Sequence, residues 1–332
     1  MRKIRIAHIG LNTYSHSVDV YKTMLRQSDI FDVVGYALPS GEKERLADKI
    51  PQLAVRPEMS LEQILNDPTI EAVTVETDEI YTTKYAVMAA EHGKHIHMEK
   101  PGGRELADFE KLVAIMKKTG KVFHTGYMYR YNPLVQQLMK RIKAGELGDI
   151  ISVEAQMNCY HKPEMRAWLK ELPGGMMFFL GCHLIDLAMQ IKGVPDNIVP
   201  FNRASGLDGV DAIDCGMAVL EYKDCVSFIK TTAIERGGFQ RRQLVVTGTK
   251  GTVEIKPLEL AVEGGLIAKQ VAYDSENWHV PGVETVSDVC GRYDDMMSTF
   301  AAMVRGEITN PWTLDYELEL YKNVLKCCGG KG

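Results

Sequence analysis

Three stretches of this sequence hold side chains whose types and spacing could do chemistry, and the first is Glu99-Lys100-Pro101. It closes the strand-like run His95 to Glu99, which Pro101 stops. A lysine at the carboxyl end of a strand can polarise a hydroxyl oxygen or join a proton transfer once burial and neighbours lower its pKa; otherwise it is a surface charge. The second stretch is the turn Gly10-Leu11-Asn12-Thr13-Tyr14-Ser15, set between a strand-like and a helix-like run. Glycines in such a turn let backbone N–H groups approach a pyrophosphate at a helix N-terminus. Only the first glycine of G-x-G-x-x-G is present, with Asn12 and Ser15 at the other two places. Asparagine tolerates positive φ and serine is small, so a phosphate is still admitted, while the same residues also fit an ordinary strand-to-helix turn. The third is Gly181-Cys182-His183-Leu184-Ile185-Asp186, where His183 and Asp186 share a helical face and the carboxylate could orient the imidazole. A histidine on an apolar helix is equally what a satisfied core residue looks like.

Weaker signals surround these. The second strand of a nucleotide-binding sheet usually ends in an acid for the ribose hydroxyls, but this one ends Tyr36-Ala37-Leu38-Pro39-Ser40. Ser40 with Lys43 nearby leaves room for a ribose phosphate, as a solvated turn also would. Tyr160, His161, Arg166 and Trp168 precede the Gly174-Gly175 turn in a loop-like stretch whose stacking and hydrogen-bonding groups suit a sugar or simply cover a core. Arg241-Arg242 reads as a solvated pair. The cysteines at 159, 182, 215, 225, 290, 327 and 328 show no C-x-x-C spacing, which predicts reduced thiols and no metal site.

The elements that must position these groups alternate strand and helix in the first part of the chain, the pattern of a parallel sheet with helices on its faces. Ile4 to Gly10, Phe31 to Ala37, Ala72 to Thr77, His95 to Glu99 and Val122 to Tyr127 read as strands, and a complete six-stranded sheet is expected before residue 130. Helices are predicted over Ser17 to Gln27, after a capping box at Ser60 and Gln63, over Tyr81 to His92 and over Leu106 to Thr119. From 213 to 272 strand-like runs follow one another with turns between them, which implies antiparallel pairing. The boundary falls near residue 125.

At 332 residues and 45% hydrophobic, the chain is large enough for two cores. A formal net charge of -5, with both signs scattered, recruits neither nucleic acid nor an anionic membrane. The start MRKIRIAHIG lacks a signal peptide's apolar core and no run is long enough to span a bilayer, so a cytoplasmic protein is expected.

Taken together, Glu99-Lys100-Pro101, Gly126-Tyr127-Met128-Tyr129-Arg130-Tyr131-Asn132-Pro133, Gly145-Glu146-Leu147-Gly148-Asp149-Ile150, Gly181 to Asp186 and Val245 to Glu254 resemble, in order, the glucose-fructose oxidoreductase / inositol dehydrogenase / rhizopine catabolism (Gfo/Idh/MocA) family. The resemblance implies an α/β chain: an N-terminal Rossmann domain over 1–125 with a doubly wound parallel sheet, and a C-terminal α+β domain over 126–332 with an open, mostly antiparallel sheet for substrate binding and oligomerisation. It also implies a site at their junction that oxidises a sugar, polyol or glycoside with NAD or NADP, NAD being slightly favoured, in a homodimer or homotetramer. By the same resemblance His183 accepts the hydroxyl proton and Lys100 orients and polarises the oxygen. Gly10, Leu11, Asn12, Thr13, Ser15, Ser40, Thr77, Glu99 and Lys100 meet the cofactor, and Tyr127, Arg130, Tyr160, His161, Arg166, Trp168 and Asp186 the substrate. Phe179 stands where many members carry a catalytic aspartate, and Thr82 replaces a frequent histidine. Two other activities share these residues: glycoside cleavage by transient oxidation and elimination, and a non-catalytic nicotinamide-binding regulator.

Overall fold

Short runs of β-branched and apolar residues build the first sheet, in which β1 (Ile4–Ile9), β2 (Phe31–Ala37), β3 (Ala72–Val75), β4 (His95–Met98) and β5 (Phe123–Thr125) lie parallel in the order β2-β1-β3-β4-β5. Nearly all of β1 and all of β3 are buried, as a parallel sheet covered on both faces requires. The connecting helices are α1 (Ser17–Arg26), α2 (Glu42–Arg45), α3 (Leu61–Asn66), α4 (Thr82–Glu91) and α5 (Leu106–Thr119). The capping box forms as expected: Gln63 N–H donates to Ser60 Oγ and Ser60 N–H to Gln63 Oε1. Six strands were expected and five form. Between Ala37 and Ala72 the chain makes α2, α3 and a short 3-10 turn, with only an isolated bridge from Tyr36 to Glu58.

This computed structural model describes residues 2–330. They divide into two units: residues up to Tyr127 with Tyr293–Tyr321, and Met128–Arg292 with residues from Lys322 onward. A single boundary near 125 therefore leaves out a stretch that returns to the first unit from far along the chain.

The second unit is built on strands β6 (Ile150–Asn158), β7 (Asn197–Ala204), β8 (Ile213–Glu221), β9 (Val226–Thr232), β10 (Gln243–Gly248), β11 (Gly251–Ile255), β12 (Leu260–Val262), β13 (Gly265–Ile267), β14 (Lys269–Tyr273) and β15 (Val283–Val286). Eight of them form one sheet in the order β15-β14-β11-β10-β6-β9-β8-β7, while β12 and β13 pair separately. Every neighbouring pair in that sheet is antiparallel except β6 with β9. β8 alternates buried and half-buried residues, the period-two signature of a sheet covered on one face. Helices α6 (Pro133–Lys143), α7 (Pro163–Trp168) and α8 (Cys182–Lys192) belong to this unit, and α8 packs against β6 with almost every residue buried.

Two last helices, α9 (Asp294–Val304) and α10 (Leu314–Cys327), follow; α9 and the first part of α10 belong to the first unit. Arg26 and Gln27 at the end of α1 hold α9 through the carboxylate and carbonyl of Asp294. Phe300 of α9 lies against the rings of His97 and His124. None of the described helices is long and apolar enough to cross a membrane.

Candidate active site

In the first unit the sheet connects β1 to β2 on one side and β3 on the other, and at such a switch point the strand ends open a crevice. Gly10 leaves β1 there with φ +91, and a Cβ on it would stand 2.3 Å from Thr77 Cγ2. Glycine is thus required for the two strand ends to meet so closely. The turn that follows is tied to itself: Asn12, fully buried, receives the Ser17 hydroxyl on Oδ1 at 3.1 Å and donates its own N–H to Ser17 Oγ at 3.2 Å. Leu11 is buried beneath it.

Charged side chains then surround this turn. Thr13 N–H donates to Asp78 Oδ1 at 2.6 Å, and the Ser15 hydroxyl donates to Glu79. Arg45 Nη1 reaches Asp78 Oδ2 at 2.7 Å and its Nη2 the Ser40 carbonyl at 3.3 Å. Lys49 Nζ donates to the carbonyls of Asn12 and Thr13 at 2.9 and 2.7 Å. Ser40 gives both its N–H and its hydroxyl to the Glu42 carboxylate, and Lys43 pairs with Glu58 at 2.8 Å. The cation beside Ser40 is Arg45, the last residue of the four-residue helix α2, and no local sequence signal marks it.

Beyond β3 and β4 lies a buried ionisable group. Lys100 Nζ is 3.3 Å from Glu99 Oε1, with side chains only 5% and 6% exposed. Burial pushes Glu76 up to about 8, helped by repulsion from Glu79 and opposed by Lys100. Burial likewise lifts Glu79 and Glu99 to about 7 against the pull of the Lys100 ammonium. His97 Nε2 lies 3.4 Å from Glu76 Oε1, and its Nδ1 is 2.7 Å from His124 Nδ1. Burial drives His97 down to about 4, so that ring is neutral near pH 7. Among the described residues no group of three or more His, Cys, Asp or Glu has the arrangement to hold a metal ion. Thr77 is fully buried and Tyr127 nearly so.

In the second unit the backbone turns at Gly174-Gly175 with φ +64 and +53, and a Cβ on Gly175 would fall 2.1 Å from the Ile213 carbonyl. A π-helical turn, Met177–Gly181, leads into α8 and puts Phe179 one turn before His183. Phe179 meets Trp168 edge-on with ring centroids 5.2 Å apart and His161 at 6.4 Å, so the place of the expected aspartate is aromatic. His183, 4% exposed, meets the Tyr129 ring edge-on at 5.3 Å. The Tyr129 hydroxyl donates to Glu259 Oε1 at 2.7 Å, and Arg242 and Arg292 each reach the Glu259 carboxylate at 2.8 Å. Arg242 is therefore buried and paired, and only Arg241 is the surface charge the sequence suggested.

Three expected substrate contacts are otherwise engaged. Asp186 receives Arg130 Nε and Nη2 at 2.9 and 2.8 Å, a two-toothed pair with both side chains at most 1% exposed. Arg166, fully buried, binds the Leu207 carbonyl at 3.0 Å, Asp214 at 3.3 Å and Asp208. These arginines tie the unit's own elements together, a role that only the folded chain reveals, because the partners lie 41 to 56 positions away. His161 Nε2 sits 3.0 Å from Cys159 Sγ, with burial holding the imidazole down to about 4. Tyr160 is 40% exposed under the Arg236 guanidinium.

Comparison with known proteins agrees with this geometry. Residues 4–127 match the model of an oxidoreductase family with an NAD-binding Rossmann fold, and residues 135–254 match the GFO/IDH/MocA C-terminal domain. A scyllo-inositol 2-dehydrogenase (NADP(+)) of Bacillus subtilis is 27% identical over 67% of this chain and 61% of its own length. A 2,7-anhydro-N-acetylneuraminate hydratase of Escherichia coli is 26% identical over 61% of this chain and 56% of its own length. The chain thus spans between half and two thirds of the length of these curated relatives. A 3-ketoreductase of Actinomadura kijaniata, solved with NADP, superposes with a TM-score of 0.80 at 16% identity, covering 99% of this chain and 98% of its own, and shares the fold. With both halves matched in order, the chain belongs to the Gfo/Idh/MocA family of oxidoreductases.

Proposed function

We propose that this chain is an NADP-dependent dehydrogenase or reductase acting on a CH–OH group of a sugar, polyol or glycoside. The observation that carries the reading is the buried Lys100–Glu99 pair at the carboxyl end of β4, in the same sheet whose β1–β3 switch point carries the Gly10 turn. The residues present fit a dinucleotide, because Gly10 gives the close backbone pass and Arg45 and Lys49 bring two cations to the turn. Gly10 to Ser15, Arg45, Ser40, Thr77 and Glu99 would hold it, and when bound it supplies a hydride acceptor or donor.

Lys100 polarises the substrate oxygen, and its alignment comes from the Glu99 carboxylate. His183 takes the hydroxyl proton, its ring steadied by the edge of Tyr129. Phe179 and Trp168 offer a dry aromatic wall to the apolar face of a sugar ring. Arg45 at the Ser40 carbonyl, with Glu42 folded in upon Ser40, supports NADP over NAD in this reading. Exposed Phe201 on β7 and Val226 on β9 support a homodimer or homotetramer, which light scattering would count.

The test is the nicotinamide absorbance of the purified protein with NADP or NAD and a panel of sugars, polyols and glycosides. A rise with NADP and one substrate, abolished in Lys100→Ala, is the expected result; no rise with any member of the panel opposes the dehydrogenase reading. A second reading, elimination after transient oxidation, is favoured by the hydratase among the relatives. It predicts substrate loss without net change in the nicotinamide, which product analysis separates from the first.

A further inference from the structure

The loop after β3 meets the glycine turn much as a phosphate would. Asp78 places one carboxylate oxygen on Thr13 N–H at 2.6 Å and the other on the Arg45 guanidinium at 2.7 Å. A main-chain N–H at a helix entrance on one oxygen and a guanidinium on the other is the pattern an oxyanion of a nucleotide meets. Glu79 does the same to the Ser15 hydroxyl, and both carboxylates are almost fully enclosed, Asp78 at 5% and Glu79 at 0% exposure. Lys49 spends two hydrogen bonds on the carbonyls of Asn12 and Thr13 rather than on an anion. Thr13 N–H, the Ser15 hydroxyl, Arg45 and Lys49 are therefore already engaged from within the chain.

We propose that Asp78 is a built-in competitor for the phosphate of the dinucleotide, so that the cofactor binds by exchange, taking Thr13 N–H and Arg45 from it. This rests on the dinucleotide reading above and names the residue that sets affinity at that site. Thr13 N–H has one proton to give, and a phosphate set against it would stand beside the Asp78 carboxylate and be repelled by it, so the carboxylate must turn away as the phosphate arrives. Arg45 also reaches the Ser40 carbonyl at the end of β2, the ribose side of such a site, so the cation that Asp78 gives up favours a ribose phosphate in particular.

Titration calorimetry with NADP and with NAD, without substrate, tests the exchange. In Asp78→Asn the carboxamide oxygen can still accept from Thr13 N–H, but a neutral bond is roughly half as strong as a charge-assisted one. The NADP dissociation constant is expected to fall about tenfold, or ~1.4 kcal/mol, with a smaller gain for NAD. Glu79→Gln gives an independent variant should the first fail to fold, and it too is expected to bind more tightly. Adding Arg45→Ala to Asp78→Asn should abolish the gain for NADP. Equal or weaker binding by both single variants, where the wild-type chain binds, overturns the exchange and leaves the dinucleotide reading standing. No binding of either dinucleotide to any variant overturns both.

Discussion

The surroundings of Lys100 and those of His183 solve the problem of buried charge in opposite ways. Around Lys100, carboxylates outnumber cations: Glu76, Glu79 and Glu99 are all buried, and burial raises the proton affinity of each against the pull of one lysine. In the unit of His183, each buried arginine has its acid: Arg130 with Asp186, Arg166 with Asp214, and Arg242 with Glu259. The first region is left with charge to trade, suited to protons and anions that come and go. The second is locked by its ion pairs and presents aromatic surface, suited to holding a ring in one pose.

The contrast breaks at its strongest point if Lys100 is dispensable. Lys100→Ala should lower turnover by roughly 10²–10⁴ while dinucleotide binding by calorimetry persists; a variant of unchanged turnover would make the surplus carboxylates a structural accident. Next in size, Arg130→Ala should destabilise the fold by about 3–5 kcal/mol in chemical denaturation, because Asp186 stays behind as a buried unpaired charge. Replacing the pair together by Arg130→Met and Asp186→Leu should recover most of that loss, as expected of a lock rather than a ligand. A third test concerns Glu76. Its carboxyl releases a proton near its ordinary 4.5 in the unfolded chain and near about 8 in the folded one. The folded chain therefore holds more protons across that window, and stability falls as pH rises through it, the loss being complete above about 8. Glu76→Gln should flatten this dependence, with a gain on the order of a few kcal/mol above the window and little change below it. Smallest of all, Trp168→Leu removes the edge-on contact with Phe179 and should cost roughly 1 kcal/mol of stability.

Much of the first region is legible in the residue order because its signals are local. β-branched runs give the parallel strands, Gly10 marks the turn, and Ser60 with Gln63 announces its own cap. Asp78 and Glu79 follow directly on Thr77, yet nothing in the residue order marks them until the fold brings Thr13 and Ser15 to them from 65 and 64 positions away. The ion pairs of the second region lie deeper still from a linear reading. Asp186 shares a helical face with His183, and nothing in that spacing announces Arg130, which only the packed unit delivers to it. All five strand ranges named from the sequence form, and the sixth strand that was counted had no residues assigned to it; residues 38–71 fold as short helices and turns.

The return of residues 293–321 to the first unit sets an order of events during synthesis. Phe300, which covers the His97 and His124 rings, is made 175 residues after the last strand of that sheet ends at Thr125. A ribosome can release all five strands and still leave two buried histidines without their lid. The nucleotide-binding unit is thus begun before the second unit and finished only after residues 128–292 have been made, and its early strands must wait, or be kept from wrong partners, until the closing helices emerge.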